Sequence, residues 1–228
     1  MRSVVTRDAE IEFASADVPV SEYPQLSGLA YAVKGGLDRA AAALLLIVVA
    51  VPMLLIAALI KLTSPGAVLV RQERVGRYGH PFTFYKFRSM RADAEILRDQ
   101  LENDNHHDAK HIFKIKRDPR ITRIGGFLRR NSIDEVPNLF NVLRGEMSLI
   151  GPRPPLPREV AHYDAYQMQR LAATPGLTGL WQIRGRSEIP FEKMVDMDLE
   201  YIERWSLWLD LTIMLKTPLA VLRGTGAW

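Results

Sequence analysis

The stretch from Ala40 to Ile60 contains no charged side chain, and it restricts the fold of this chain more than any other feature. About 20 apolar residues in a helix are enough to cross the hydrocarbon core of a bilayer. A helix of this length that is apolar on every side is unusual in a globular core. The sequence therefore predicts a membrane-embedded helix, with a separate folded domain in the residues that follow.

Two arrangements of this helix are open: a plain transmembrane span, or a hairpin that enters and returns to the same side. Pro52 lies in the middle of the segment, where it removes a backbone hydrogen bond and kinks the helix. Basic residues prefer the cytoplasmic side, and a hairpin satisfies that rule at both flanks. The flanking basic residues are Lys34, Arg39, Lys61, Arg71, Arg74 and Arg77. We therefore favour a re-entrant helix over residues 31–63, with Asp38 and Arg39 as its anchor at the headgroup level.

The charge of the chain is unevenly distributed. Residues 1–30 hold two basic and five acidic side chains. The whole chain has a formal net charge of +4, so the remaining residues carry about +7. We interpret residues 1–30 as a flexible tail, and residues 64–228 as the folded domain. Its basic character favours an anionic partner: a nucleotide, a phospholipid surface or a nucleic acid. The chain has no cysteine, which excludes disulfides and thiolate metal sites.

Composition and spacing give a coarse order of elements after the membrane segment. They predict two short paired strands, a proline-rich segment that is extended or turned, and several helices. A dense apolar stretch at residues 205–215, with two tryptophans, suits either a membrane interface or ordinary core packing. The predicted ranges are strands at 67–71 and 82–88, helices at 92–101, 159–172 and 191–205, an extended or turned segment at 151–157, and a loop-and-strand stretch around Trp181.

An adjacent carboxylate pair, Asp134 and Glu135, follows a strongly basic stretch. The basic residues are Lys110, Lys114, Lys116, Arg117, Arg120, Arg123, Arg129 and Arg130. A helix is predicted to begin near Asp134 and to end at Gly145. Asp134 as N-cap places Pro137 in the first turn, where its missing N–H costs nothing, so we favour it over a capping box starting at Ser132.

A carboxylate held among cations stays ionised. It can attack phosphorus as a nucleophile or hold Mg²⁺ against a pyrophosphate. Its alternative role is simple helix capping.

Three further cations are candidates for binding phosphate. Lys86 and Arg88 alternate, so on a strand they point to one face. Arg153 stands between two prolines, which makes its backbone a stiff mount for a guanidinium. A metal site formed by His106, His107 and His111 is not favoured, because no third ligand has suitable spacing. The sequence contains neither a Walker A loop nor a GxGxxG motif.

From about Lys34 to its C-terminus the chain resembles the monotopic phosphoglycosyl transferases, the bacterial sugar transferases. The matching motifs are Asp38-Arg39 with the proline-broken apolar segment, YKFRSM, DPRITRIG, RRNSIDEVPNLFNVLRGEMSLIGPRP, PGLTGLWQIRGR and the aromatic C-terminal region. One position departs from the family pattern: Val51 precedes Pro52 where many members have serine. The resemblance implies an α+β fold: a proline-kinked re-entrant helix, and a mostly helical cytoplasmic domain with a small β element and interfacial amphipathic helices.

The resemblance also implies an activity. Such enzymes transfer a sugar 1-phosphate from a UDP-sugar to polyprenyl (undecaprenyl) phosphate and release UMP, at the cytoplasmic face of the bacterial inner membrane. By resemblance Asp134 is the nucleophile, and Glu135 binds or positions Mg²⁺. Arg129, Arg153 and Lys86 then grip phosphates. Glucose or galactose is the expected sugar, for exopolysaccharide or O-antigen synthesis.

The resemblance implies membrane lipid as a partner and no nucleic acid, and it is compatible with a homodimer. The rival hypothesis is a membrane-tethered protein that binds anionic lipid or nucleic acid through residues 110–130 without catalysis. Such binding would weaken steeply with salt and would not need Asp134.

Overall fold

The computed structural model describes residues 28–91, 93–94, 96–97, 115, 118–224 and 226. Three predictions lie outside these residues: the flexible tail up to residue 27, most of the helix at 92–101, and the three histidines of the disfavoured metal site. Four of the eight basic residues before the carboxylate pair also lie outside them, namely Lys110, Lys114, Lys116 and Arg117. The fold of the described residues is mostly helical with two small sheets, as predicted.

The predicted apolar helix is present as α1, Gly28–Thr63. The helix continues through Pro52 without a break. Among the described residues it is the one helix that is long and apolar enough to cross a membrane, and its most apolar part has a mean hydropathy of 3.1 with only 6% of it buried. Such an exposed apolar surface is unfavourable in water, so α1 is a candidate membrane anchor.

Contacts between α1 and the rest of the fold occur along its whole length. Near its middle, Ala42 packs into a cluster with Val142 and Met147. Near its end, Ile60 packs with Phe87 and Leu128. The opposite face is apolar and exposed: Leu44, Leu45, Ile47, Val48, Val51, Leu54, Leu55 and Leu59. One face of α1 is therefore part of the core, and the other faces outward.

A buried polar cluster holds the beginning of α1. Lys34, 5% exposed, forms ion pairs with Asp210 at 2.8 Å and with Asp38 at 3.3 Å. The Asp38 carboxylate also accepts a hydrogen bond of 2.6 Å from the Ser148 hydroxyl. The Tyr201 hydroxyl lies 2.8 Å from the Asp210 carboxylate. Buried charges are tolerated only when they are paired in this way, so the cluster fixes the start of α1 on the domain.

The predicted pair of strands is confirmed as an antiparallel hairpin of β1, Leu69–Val75, and β2, Pro81–Phe87. A short 3₁₀ turn, Arg77–Gly79, joins them. The hairpin is tied to the proline-rich segment, because the Val75 amide donates to the Pro155 carbonyl at 3.0 Å.

The segment around the carboxylate pair differs from the prediction. After α2, Arg123–Arg130, the chain forms a 3₁₀ segment, Ile133–Asn138, and only then α3, Leu139–Arg144. Asp134 is therefore not an N-cap but lies inside the 3₁₀ segment, and Ser132 makes no side-chain cap either. Pro137 supplies no amide hydrogen and crowds the carbonyl four residues before it, which disfavours an α-helix here. The predicted end at Gly145 is confirmed by its φ of 80°.

The Gly-Pro-Arg-Pro segment follows β3, Ser148–Ile150, which pairs in parallel with β4, Gly176–Thr178. The two backbones approach very closely here. A Cβ on Gly176 would lie 2.1 Å from the Gly151 amide nitrogen, so only glycine fits. Residues 152–156 form neither helix nor strand, and Leu156 has extended backbone angles.

The remaining helices match the predictions unevenly. The predicted helix at 159–172 is divided into α4, α5 and a 3₁₀ turn, because Asp164 caps a new helix with Gln167 in a capping box. The stretch around Trp181 contains a helix, α6, which was not predicted. The predicted helix at 191–205 is confirmed as α7. The ranges are α4 Pro157–Val160, α5 Ala165–Met168, 3₁₀ Gln169–Ala172, α6 Leu180–Arg184, 3₁₀ Arg186–Glu188 and α7 Phe191–Glu203.

The last helix, α8, spans Leu207–Arg223 and begins at Ser206, whose hydroxyl accepts from the Leu209 amide at 3.1 Å. Its inner face contributes Ile213 to the main core. Its outer face is apolar and exposed: Leu207, Trp208, Leu211, Met214, Leu215, Leu219 and Leu222. Helices α1 and α8 therefore both expose an apolar face.

Replacement of Lys34 by methionine is expected to destabilise the fold strongly, because two buried carboxylates lose their cation. Breaking a buried ion pair costs about 3–5 kcal/mol, which lowers the Tm of a domain of this size by on the order of 10 °C. Thermal unfolding of the detergent-solubilised protein, followed by circular dichroism, measures the loss.

Arg39→Met is the control, since Arg39 is exposed and donates a hydrogen bond to the Gly35 carbonyl within the same helix. Adding Asp210→Asn to Lys34→Met should cost less than the sum of the two single changes. Strict additivity of the two changes would contradict the proposed coupling.

Candidate active site

A cavity of about 440 Å³ lies between α1 and α8, and one side of it is polar. Its charged lining consists of four cations and two carboxylates: Lys86, Arg129, Arg153, Arg186, Asp134 and Glu135. The apolar side is formed by residues of both exposed helices and of the core: Leu45, Val49, Leu139, Leu149, Ile150, Leu177, Met214 and Val221. The cavity therefore combines a net positive polar side with an apolar wall.

Asp134 is buried, with 6% of its surface exposed. Within the described part of the chain its carboxylate takes part in no hydrogen bond or ion pair. Burial raises the pKa of Asp134 above its ordinary value, against the opposing charge of Lys86. Ser132, two residues before Asp134, has a φ of 56°, a strained conformation for a residue other than glycine. Asp134 is thus an unpaired carboxylate, held next to a strained turn and facing the cavity.

Glu135 has the opposite environment. Its Oε1 atom lies 2.8 Å from Lys86 Nζ and 3.5 Å from Arg153 Nη1. Burial alone would raise the pKa of Glu135, but the charges of Lys86 and Arg153 outweigh it and hold this pKa far below the usual range. Glu135 is therefore ionised and fixed in position, while its neighbour Asp134 is left without a partner.

The 3₁₀ segment that carries both carboxylates is fastened to the hairpin by Asn138, which is fully buried. Its Oδ1 atom accepts from the Tyr85 amide at 2.8 Å, and its Nδ2 donates to the Glu135 carbonyl at 3.1 Å. Asn141 makes a similar link to the Thr83 carbonyl at 2.6 Å. The sequence analysis missed both residues. Two asparagines three residues apart in an otherwise apolar segment were the available signal.

Arg153 reaches Glu135 from the Gly-Pro-Arg-Pro segment, a contact that the sequence analysis did not predict. The segment is held in place by the hairpin, because Arg74 Nη1 donates to the Pro154 carbonyl at 2.8 Å. Arg129 lines the same cavity from the last turn of α2. The structure therefore brings Lys86, Arg129 and Arg153 together around the carboxylate pair.

Arg186 is a further cation of the cavity that the sequence analysis did not single out. One of its guanidinium nitrogens, Nη2, donates to the Ser132 hydroxyl, two residues before Asp134. The other, Nη1, is buried and has no hydrogen-bond partner among the residues that the structure describes. Its own φ is 55°, so two residues with unfavourable positive φ touch beside the carboxylate. The indication of Arg186 in the sequence was the Gly-Arg pair in QIRGR.

Arg88 is not brought into this cavity. Its guanidinium donates to the Ser64 carbonyl at 2.8 Å and to the Ala67 carbonyl, at the end of α1. Phosphate binding by Arg88 stays a prediction that these contacts do not favour. The predicted membrane re-entry residues Asp38, Arg39 and Pro52 also lie outside the cavity lining.

The chemistry available in this cavity is that of phosphate groups at an apolar surface. A buried, unpaired carboxylate suits nucleophilic attack, and the surrounding cations suit the stabilisation of charge on phosphoryl oxygens. The apolar wall, formed by the two helices with exposed apolar faces, suits a ligand with a hydrocarbon part. These features fit one class of site: a site for phosphate chemistry next to an apolar surface.

Comparison with known proteins identifies the family. The chain belongs to the bacterial sugar transferase family, whose family model matches residues 29–224. It is 50% identical over 163 residues to galactosyl transferase CpsE of Streptococcus agalactiae serotype III (strain NEM316). The aligned region covers 71% of this chain and 36% of the relative.

Two further relatives show how the chain aligns with proteins of different length. The exopolysaccharide production protein ExoY of Rhizobium meliloti (strain 1021) is 38% identical over 198 residues, 86% of this chain and 88% of the relative. The UDP-glucose:undecaprenyl-phosphate glucose-1-phosphate transferase of Escherichia coli (strain K12) is 41% identical over 212 residues, 88% of this chain and 42% of the relative. The chain thus spans well under half the length of CpsE and the Escherichia coli protein, and most of the length of ExoY.

Replacement of Asn138 by aspartate is expected to destabilise the site, because it removes the donor to the Glu135 carbonyl and adds a buried charge beside two carboxylates. A buried polar group left unsatisfied costs about 1–3 kcal/mol, and a charged group costs more. We expect a fall in Tm of at least a few degrees, measured by thermal unfolding in detergent.

Asn131→Asp is the matched control, since the Asn131 side chain makes only an exposed hydrogen bond, to the Phe127 carbonyl. It should change the stability by less than about 1 kcal/mol. Equal effects of the two substitutions would contradict the structural role of Asn138.

Proposed function

We propose that this chain transfers a hexose 1-phosphate from a UDP-sugar to polyprenyl phosphate, through a covalent intermediate on Asp134. The observation that carries this proposal is the buried, unpaired carboxylate of Asp134 beside the cation-held Glu135, in a cavity with an apolar wall. The names of several relatives support the two substrates: UDP-galactose-lipid carrier transferase and undecaprenyl-phosphate galactose phosphotransferase among them.

The reaction has two balanced steps. In the first, a carboxylate oxygen of Asp134 attacks the β-phosphorus of the UDP-sugar. The bond between this phosphorus and the bridging oxygen breaks, and UMP leaves with that oxygen and its electron pair. In the second step, a phosphate oxygen of the polyprenyl phosphate attacks the same phosphorus. The acyl phosphate bond breaks, which restores the Asp134 carboxylate and releases polyprenyl diphosphosugar.

The cations of the cavity stabilise these steps by electrostatics. Charge grows on phosphoryl oxygens in the transition state, and fixed guanidinium and ammonium groups lower its energy. Arg153 is mounted on a stiff backbone, and Lys86 is held by Glu135, so both are positioned before substrate binds. Arg129 lines the same cavity from α2. The four cations exceed the two carboxylates by two positive charges. This excess matches the negative charge of the diphosphate in a UDP-sugar.

The donor set fits Mg²⁺, which binds one or two carboxylates and takes its other oxygens from phosphates and water. Among the described residues no cluster of three or more acidic or histidine side chains forms a closed metal cage. Asp134 and Glu135 therefore suit a metal that arrives with the substrate. Glu135 would hold the ion, which would neutralise charge on the diphosphate. Asp134 contributes as a ligand only while it is not bonded to phosphorus.

The apolar wall supports a lipid acceptor, and the relatives support the choice of sugar. Polyprenyl phosphate carries its phosphate on a long hydrocarbon chain, which must remain in the membrane during transfer. Helices α1 and α8 both expose apolar faces and both line the cavity, so a chain lying along them can place its phosphate near Asp134. Relatives are named for both galactose and glucose transfer, and we propose one of these two sugars.

We also propose that α1 is re-entrant and that the domain lies on the cytoplasmic face of the bacterial inner membrane. Both ends of α1 contact the same domain: Lys34 pairs with Asp210 near its start, and the Ser64 carbonyl accepts from Arg88 just beyond its end. A span across the bilayer would separate these two ends by the thickness of the hydrocarbon core, about 30 Å. Pro52 lies between them, where a kink is expected.

Asp134→Asn is expected to abolish the covalent step. The purified protein, incubated with radiolabelled UDP-glucose or UDP-galactose and Mg²⁺ without lipid, should retain label after denaturation. The asparagine variant should lose at least about a thousandfold of this activity, because the amide is a poor nucleophile. Removal of Mg²⁺ by a chelator should also suppress labelling.

Asp196→Asn is the matched control, since Asp196 is an exposed aspartate that accepts a hydrogen bond from the Tyr166 hydroxyl. It should label normally. Normal turnover by Asp134→Asn would eliminate the proposed mechanism. If that variant still bound anionic lipid and the natural protein turned over no UDP-sugar, the rival hypothesis of a non-catalytic binder would be favoured.

The absence of cysteine allows a direct test of the topology of α1. Single variants Ala32→Cys and Thr63→Cys place a thiol near each end of the helix, and Glu203→Cys marks the side of the domain. In sealed inside-out membrane vesicles, which expose the cytoplasmic face, a maleimide that does not cross membranes should react with all three. Protection of Ala32→Cys alone, reversed in right-side-out vesicles, would contradict the re-entrant arrangement.

A further inference from the structure

A second basic groove, of about 510 Å³, lies between α6 and α8. Four cations line it and no acidic residue does: Arg184, Arg186, Lys216 and Arg223. Arg184 is engaged with Glu200 at 2.9 Å. Within the described part of the chain, Lys216 and Arg223 form no ion pair, and both are exposed. The groove therefore offers unneutralised positive charge to an anion.

The groove adjoins the cavity that contains Asp134. Gln182, Ile183, Arg186 and Ala220 line both of them. Arg186 lies at this junction, and its Nη2 donates to the Ser132 hydroxyl, two residues before Asp134. An anion that passes from the groove toward Asp134 would therefore pass the guanidinium of Arg186.

The position of the groove on α8 points to a ligand that is both anionic and apolar. Lys216 and Arg223 are seven residues apart, which places them on one face of the helix. Leu219 lies between them and lines the groove, and it is half exposed. The neighbouring Leu215 and Leu222 belong to the exposed apolar face of α8. A phosphate in the groove could thus be attached to a hydrocarbon chain that lies along α8.

We propose that this groove is the entry site for the phosphate of the lipid acceptor, and that Arg186 receives this phosphate at the catalytic cavity. The inference rests on the proposed function and adds a separate acceptor subsite to it. The donor is water-soluble and has no need of an apolar rim, whereas the acceptor keeps its chain in the membrane. Lys216 and Arg223 bind the phosphate monoester first, and the second step of transfer follows once it reaches Arg186.

The test separates the two steps of the reaction with the double variant Lys216→Gln/Arg223→Gln. The protein is first loaded with labelled UDP-sugar, and the label is then chased with increasing polyprenyl phosphate. Loading should stay within about twofold of the natural protein, while the KM for polyprenyl phosphate in the chase should rise about tenfold or more. This rise corresponds to about 1.4 kcal/mol or more of lost acceptor binding.

Lys193→Gln/Arg204→Gln is the control, because it removes the same charge from exposed positions on and just after α7 that do not line either cavity. It should leave both steps unchanged. An unchanged chase in the Lys216→Gln/Arg223→Gln variant would overturn the entry site and leave the proposed function intact. A natural protein that takes up no label from any UDP-sugar would overturn the proposed function, and this inference with it.

Anionic phospholipid headgroups share the phosphate chemistry, so the chase is run in two membranes. In vesicles of phosphatidylcholine alone, the KM rise should persist. A rise seen only when phosphatidylglycerol is present would show that the groove binds the membrane surface and not the acceptor, and would overturn the proposal. Inorganic phosphate, added at millimolar concentration, should compete with the acceptor in the natural protein and less in the variant.

Discussion

The buried polar cluster around Lys34 and Asp210 is the interaction on which the rest of the arrangement depends. It is formed by side chains from α1, β3, α7 and α8, which are distant in sequence. Isolated, each of these charges would cost several kcal/mol to bury, so the cluster is stable only when all its members are present. Burial and the Asp210 carboxylate raise the pKa of Tyr201 well above its usual value, so its hydroxyl keeps the proton that it donates. The cluster therefore links the position of the apolar helix to the elements that surround the candidate active site.

Two adjacent carboxylates acquire different properties from their surroundings alone. Asp134 is buried without a partner, and its pKa is raised by that burial. Glu135 is buried as well, but Lys86 and Arg153 hold its pKa low. Neighbouring groups with opposite pKa shifts are a common basis for a division of roles in catalysis. Here Asp134 suits the role of the reactive group, and Glu135 that of a fixed, charged neighbour. The difference arises because the 3₁₀ segment directs these successive side chains to different neighbours.

Much of this arrangement could be predicted from local patterns. The apolar helix, the hairpin, the end of α3 at Gly145, the stiff segment around Arg153 and the helix α7 all follow from the residues within them. Two missed site residues, Arg186 and Asn138, act through contacts between distant parts of the chain. Arg186 reaches Ser132 from 54 residues away, and Asn138 reaches Tyr85 across 53. No local pattern contains that information. The 3₁₀ segment was mispredicted because the rules for helix starts consider free amides, whereas Pro137 also opposes the α-helical path.

Arg88 illustrates how the hairpin connects the apolar helix with the site. Strand alternation placed Lys86 and Arg88 on one face, but β2 ends at Phe87, and Arg88 turns instead to the Ser64 and Ala67 carbonyls. It thereby satisfies backbone acceptors near the end of α1, which have no partner within the helix. Two residues earlier, Lys86 holds Glu135.

The start of α1 is connected to the same carboxylate by a second route. Asp38 accepts from Ser148, and β3 leads within five residues to Arg153, the other cation on Glu135. Both ends of α1 are thus joined by short paths to the two cations that fix Glu135. A helix attached in this way is part of the framework of the site as well as a candidate membrane anchor, and a change in its direction at Pro52 would be transmitted to the carboxylate pair from both sides.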